Sequence, residues 1–207
     1  MNNSCTFYIA RHGQTDWNEK GLVQGHQDSL LTLLGEQQAK NLAIELYDIN
    51  FDLAFSSDLL RAKRTAEIVV LEKKLAVATT QALRERGYGK YEGQPYDTLR
   101  VYDDFYEALQ DEEKFTSKFE DIESDEMIIT RLITFLRETA ILHPGKNILV
   151  ITHGDVMHKF LIKMGFGTHE NFPRGAIGNT AFFKLISDGV NFEVTQTSRI
   201  VRPTPLR

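Results

Sequence analysis

Phe7-Tyr8-Ile9-Ala10-Arg11-His12-Gly13-Gln14-Thr15-Asp16-Trp17-Asn18 joins a short apolar run to a cation, an imidazole and a glycine. Such a run, stopped abruptly by polar groups, reads as a buried strand delivering them to the crevice at its carboxyl end, where open α/β sheets hold their ligands. Arg11 offers a planar fork of donors that fits phosphate oxygens, His12 is a nucleophile near neutral pH, and Gly13 lets backbone approach a ligand closely. Alone, the tripeptide is also compatible with an arginine–carboxylate pair, a packed histidine and a simple turn. The rest of the chain decides.

Working outward, Asn147-Ile148-Leu149-Val150-Ile151-Thr152 is continuous in apolar residues, as buried parallel strands are, and ends in His153-Gly154-Asp155. It repeats the design of strand, imidazole, glycine. Between them, Phe51–Phe55 and Val77–Thr80 read as strands, and Glu36–Tyr47, Leu59–Leu75, Met127–Leu142 and Val156–Met164 as helices. Ser56-Ser57-Asp58 supplies N-cap residues before a helix that carries Arg61, Lys63 and Arg64 in its first turns, where something anionic should offset the helix dipole. Thr180–Ile186 and Asn191–Thr195 form a hairpin across Asp188-Gly189. Strands alternating with helices predict a single α/β domain, a three-layer α/β/α sandwich around a mostly parallel sheet. Residues 88–126 interrupt it with 13 acidic side chains against four basic ones, interleaved with aromatics, which predicts a folded helical cap with a solvated acidic face.

Composition narrows the function classes. The net charge of −5 argues against nucleic acid as the main partner, because backbone binding rests on clustered Lys and Arg. Met1–Ser4 lacks a positive n-region and no apolar run reaches the length of a membrane helix, so the expectation is a cytoplasmic protein without a membrane partner. The single cysteine, Cys5, excludes an intrachain disulfide and reads as a small buried thiol. His26, His158 and His169 read as surface or packing residues, His143 as a helix end, and Trp17 as a packing anchor.

If the strands ending at Ala10, Phe55, Thr80 and Ile151 share one edge, Arg11, His12, Arg61, Glu85 and His153 converge there. A phosphoryl group in transfer spreads negative charge over its equatorial oxygens, and positioned cations and donors stabilise it. Arg11, Arg61 and His153 suit that task, His12 suits in-line attack, and Glu85 suits proton transfer to and from the ester and water oxygens.

These residues resemble the histidine phosphatases, also called the phosphoglycerate mutase-like superfamily. The likeness rests on Arg11-His12-Gly13-Gln14-Thr15 with Trp17-Asn18, on Ser56-Asp58-Leu59-Arg61-Ala62 with Thr65-Ala66, on Leu83-Arg84-Glu85 with Gly89 and Glu92-Gly93, and on Thr152-His153-Gly154. The resemblance implies a phosphohistidine at His12, phosphate clamping by Arg11, Arg61 and His153, acid–base work by Glu85, and neither a metal nor an organic cofactor. Asn18, Gln24, Gly25 and Gly154 correspond to positions lining the phosphate pocket of relatives. Tyr96 stands where the cofactor-dependent mutases carry a lysine, the cap has no Arg-Arg pair, and Asp155 replaces an asparagine. Those departures favour a phosphatase of small phosphorylated metabolites over a phosphoglycerate mutase. A non-catalytic phospholigand-binding protein is a third reading, disfavoured because binding alone needs neither a nucleophile nor a proton donor. The sequence does not distinguish monomer from homodimer.

Overall fold

Strand β1, Cys5–Arg11, alternates its side chains between two apolar layers, and that alternation builds the domain. Phe7 and Ile9 pack with Leu132, Leu136 and Phe160 on one face, while Tyr8 and Ala10 pack with Leu42, Ala62 and Ala66 on the other. The computed structural model describes residues 4–203. The leader-peptide expectation falls partly on residues 1–3, which lie outside the described residues, as do 204–207.

The remaining strands are β2 (Leu53–Ser57), β3 (Val77–Thr80), β4 (Asn147–Thr152), β5 (Ile177–Ser187) and β6 (Phe192–Ile200). They form one six-stranded sheet in the order β3-β2-β4-β1-β5-β6, parallel through β1 and antiparallel at β5 and β6. Helices α2 (Leu33–Glu45) and α3 (Leu60–Val70) cover one face. Helices α6 (Asp125–Leu142) and α7 (Gly154–Lys163) cover the other. A short α1 (Asp16–Lys20) follows β1. Residues 88–126 contribute α4 (Arg100–Ala108), α5 (Asp111–Lys114) and 3-10 turns, around a small core of Val23, Leu99, Tyr102, Tyr106 and Ile122. Most of the acidic side chains of this segment are exposed, but Glu92, Asp103, Glu123 and Asp125 turn inward. Among the described residues, no helix is long and apolar enough to cross a membrane.

Several helix limits differ from the sequence expectation, for local reasons. Helix α2 begins at Leu33, three residues earlier than expected, because the Thr32 hydroxyl accepts the Gly35 amide. Helix α3 stops at Val70, and a 3-10 turn follows to Lys73 before Lys74 enters the left-handed region. Ser56 and Ser57 end β2 and do not stand at the N-cap, which is Leu59. The Leu59 amide donates to the Ser57 hydroxyl, and the anion expected at this helix start arrives from another loop, Asp28 accepting the Leu60 amide at 2.7 Å. Cys5 is fully buried, its thiol donating to the Lys146 carbonyl, and burial pushes that thiol up to about 11.

The β1–β4 register sets Ala10 opposite Ile151 and Arg11 opposite Thr152, and the His12 amide continues the ladder to the Thr152 carbonyl at 3.1 Å. His12 and His153 therefore leave the sheet side by side. The turn beyond His12 is pressed against the first turn of α2. A Cβ on Gly35 would lie 2.0 Å from the Gln14 carbonyl oxygen, and one on Gly13 would lie 2.4 Å from that of Gly35. Gly35→Ala is expected to lose about 1–3 kcal/mol of stability through overpacking, read as a lower urea midpoint. An unchanged midpoint would show that the two turns are not in rigid contact.

Candidate active site

The His12 and His153 rings stand 5.1 Å apart, centre to centre, at 62°. His12 Nδ1 lies 2.7 Å from the Gly13 carbonyl, which can only accept, so Nδ1 carries the hydrogen and Nε2 carries the lone pair. Burial, with Arg61 and Arg11 beside it, pushes His12 well below the ordinary imidazole value, so the ring is neutral at physiological pH. Burial and Arg61 do the same to His153, whose two ring nitrogens are buried without hydrogen-bond partners.

Arg11 and Arg61 bring the charge. Arg11 Nη1 donates to the Ile177 carbonyl at 2.7 Å, and its buried Nε is unpartnered. Arg61 reaches from the start of α3 to the Gln27 and Gly25 carbonyls, each at 2.7 Å, and its Nε too is buried and unpartnered. Burial draws Arg61 down to about 10, against the pull of Glu85, so it stays charged. Buried donors without partners cost free energy and are rare, and several in one place mark where an anion completes the structure.

Glu85 sits against the N-terminus of α7. Its Oε1 accepts from the Val156 and Arg86 amides at 3.2 and 2.9 Å, and its Oε2 accepts from the Asp155 amide at 3.2 Å. Burial, and then the nearby Asp155 charge, raise its pKa despite these amides and Arg61. A carboxyl group with a raised pKa keeps its proton to higher pH, as a general acid requires.

Arg11, His12, Gln24, Gly25, Arg61, Glu85 and Gly154 line one cavity of about 420 Å³. A Cβ at Gly154 would press on Arg11, meeting its Nε at 3.1 Å. Gly25, at φ +53°, offers its carbonyl to Arg61. Gln24 accepts hydroxyl hydrogens from Ser29 and Thr15. His153, expected as a phosphate clamp, packs against the His12 ring and, like Gly13 and Asn18, supports the wall without lining it. The Gly13 amide donates to Thr65, and Asn18 forms a capping box with Thr15 while its oxygen also accepts from Asn179. Among the described residues, no cluster of three or more His, Cys, Asp or Glu side chains is placed to hold a metal ion.

Residues 7–198 match the profile of the histidine phosphatase superfamily, branch 1. The chain belongs to that superfamily. "Uncharacterized phosphatase PhoE" of Bacillus subtilis (strain 168) is 32% identical over 164 residues, 78% of either chain. "Putative phosphoserine phosphatase 2" of Hydrogenobacter thermophilus is 34% identical over 185 residues, 88% of this chain and 89% of that one. A crystal structure of phosphoglycerate mutase from Bacillus anthracis superposes with a TM-score of 0.75 at 26% identity, covering 96% of this chain and 94% of the other. The superfamily and the names of the two phosphatase relatives support a phosphatase-class enzyme.

In this member of the superfamily the Glu85 loop rests on contacts the sequence reading did not anticipate. Arg131, from α6, donates to the Ala82, Arg84 and Glu85 carbonyls. His26, read as surface or packing, lies 2.8 Å from the Glu85 carbonyl and pairs with Glu123 at 3.6 Å. His158 is buried as a packing residue should be, stacked on Phe172, but it also lines the cavity. Arg86, fully buried, binds Asp125 and Asp155. Arg86 follows Glu85 and Asp155 follows Gly154, so each opposite charge stands beside a candidate site residue. That was the one signal available for their pairing.

Burial alone would raise the Glu123 carboxyl, but the His26 ring 3.6 Å away, the hydrogen bond from the Gly87 amide and the Arg131 guanidinium bring it to about 2. A depressed folded-state value makes its contribution complete above about pH 4.5 and progressively lost as the pH falls toward 2. Glu123→Gln should therefore lose less stability than the parent between pH 6 and pH 3 in urea titrations. Equal losses would remove Glu123 from the acid response.

Proposed function

We propose that this protein is a phosphomonoester phosphatase that works through a phosphohistidine at His12. The observation that carries the reading is a neutral imidazole whose Nε2 carries the lone pair, in one cavity wall with Arg11 and Arg61, whose Nε atoms are buried without partners among the described residues. In the first step Nε2 attacks phosphorus in line, the ester P–O bond breaks, and Glu85 gives its proton to the leaving alkoxide. In the second, Glu85 takes a proton from water as the water oxygen attacks phosphorus, the P–N bond breaks and inorganic phosphate leaves. The guanidinium groups of Arg11 and Arg61 supply the positive charge that phosphoryl transfer requires, so the reading includes no metal ion or organic cofactor.

Residues 88–126 act in this proposal as the cap that closes the substrate cavity, contributing Tyr88, Tyr96, Leu99 and Asp103 to its wall. The charges of that outer wall favour hydrolysis over mutase action. Arg174 is paired with Asp103, and Asp155 with Arg86, so among the described residues no unpaired cation stands there for a carboxylate or a second phosphate.

His12→Ala is expected to lower phosphatase turnover by at least about 10⁴-fold in buffer containing a chelator, and to abolish the ³²P label that an alkaline quench retains on the parent protein. Label retained by the variant would sink the phosphohistidine assignment. Glu85→Gln should slow hydrolysis of alkyl phosphates by about 10²–10⁴-fold and of p-nitrophenyl phosphate far less, since nitrophenolate leaves without a proton. Equal losses on the two esters would refute the acid role.

A further inference from the structure

Beyond the phosphate end, the cavity wall is made by α7, by the 88–126 segment and by the loop before β5, and its polar atoms are mostly acceptors. Asp155 Oδ2 is taken by the Arg86 guanidinium and the Tyr88 hydroxyl, while Oδ1 accepts nothing from the described residues. Asp103 Oδ1 is taken by Arg174, and Oδ2 accepts nothing from them. His158 Nε2 lies 2.7 Å from the Phe172 carbonyl, which fixes the hydrogen on Nε2 and leaves Nδ1 as a bare acceptor, buried and unpartnered. Burial lowers the pKa of His158, so the ring is neutral. Against these three acceptors stands, among the described residues of this outer wall, one cation, Arg174, held over the Tyr102 ring at 5.2 Å and already paired with Asp103. Tyr88 and Tyr96 add aromatic surface, and Val23, Leu99 and Ile177 add apolar surface.

A ligand that completes such a wall brings hydrogen-bond donors, carries no further negative charge and has a face of C–H groups to lay on the rings. A carboxylate would meet Asp103 and Asp155 before any free cation. We propose that the outer cavity is a subsite for a hydroxyl-rich, uncharged leaving alcohol of monosaccharide type, recognised by Asp103, Arg174 and His158. The assignment rests on the phosphatase reading and specifies its substrate class. Sites built to bond a substrate hydroxyl discriminate strongly, because their own polar groups are left unpaired by a ligand that lacks it.

The test compares kcat/KM for glucose 6-phosphate, 3-phosphoglycerate, O-phosphoserine and p-nitrophenyl phosphate, the last reporting the phosphate end alone. Glucose 6-phosphate is expected to exceed 3-phosphoglycerate and O-phosphoserine by about tenfold or more. Asp103→Asn and Arg174→Gln, both at partly exposed positions, are each expected to lower the ratio of glucose 6-phosphate to p-nitrophenyl phosphate activity by about tenfold. A preference for 3-phosphoglycerate or O-phosphoserine would overturn the proposal, as would ratios within about twofold of the parent in both variants. Failure to hydrolyse p-nitrophenyl phosphate would overturn the phosphatase reading itself, and this inference with it.

Discussion

The hydrogen bond from the His12 amide to the Thr152 carbonyl is the constraint on which the site depends. It extends the parallel ladder of β1 and β4 one step past the strands, so two imidazoles far apart in sequence emerge at neighbouring positions. The core on both faces of these strands, Phe7 and Ile9 with Ile148 and Val150, and Tyr8 and Ala10 with Leu149 and Ile151, fixes that register. A slip of one residue would turn every one of these side chains to the wrong face. Packing energy at about 1.5–3 kcal/mol per buried large side chain thus holds the two rings at their spacing.

A second buried assembly holds the carboxylate end. Arg86 lies fully inside the protein between Asp125 and Asp155, with the Lys159 ammonium 3.3 Å from Asp125 and 2.8 Å from the Tyr106 hydroxyl. Burial draws Lys159 down to about 8 despite the two carboxylates. Such a cluster adds little net stability, since desolvation offsets most of the attraction, but removing one member strands the others. Its effect is geometric. It ties the residue after Glu85 to the first turn of α7 and to the start of α6, so the Glu85 carboxyl meets the α7 amides at a set angle.

The sheet, its covering helices and the meeting of Arg11, His12, Arg61 and Glu85 around one cavity, with His153 packed on His12 but outside the cavity lining, were legible from apolar periodicity and from imidazoles placed at strand ends. What the sequence did not reveal lies in long-range polar contacts. Arg131 sits on a helix face like any solvated cation, and nothing in its neighbours announces three carbonyls from the Glu85 loop. His26 lies in a polar loop whose path depends on the Arg61 bonds to Gly25 and Gln27. Asp28 replaced the expected Ser56–Asp58 cap because a tertiary contact outcompeted the local one. The orientation of the acidic cap residues was equally hidden, since charge count alone cannot separate the inward Asp103 and Asp125 from their exposed neighbours.

Cys5 bears on how such a protein meets oxidants. Peroxides and electrophiles attack thiolate, and a thiol at about 11 that is closed off from solvent offers on the order of one part in ten thousand as thiolate at pH 7. In the proposed reaction the reacting atom is an imidazole nitrogen, and the chain's one sulfhydryl is buried in the core on the α6–α7 side of the sheet. On that proposal, turnover is insulated from the redox poise of its surroundings.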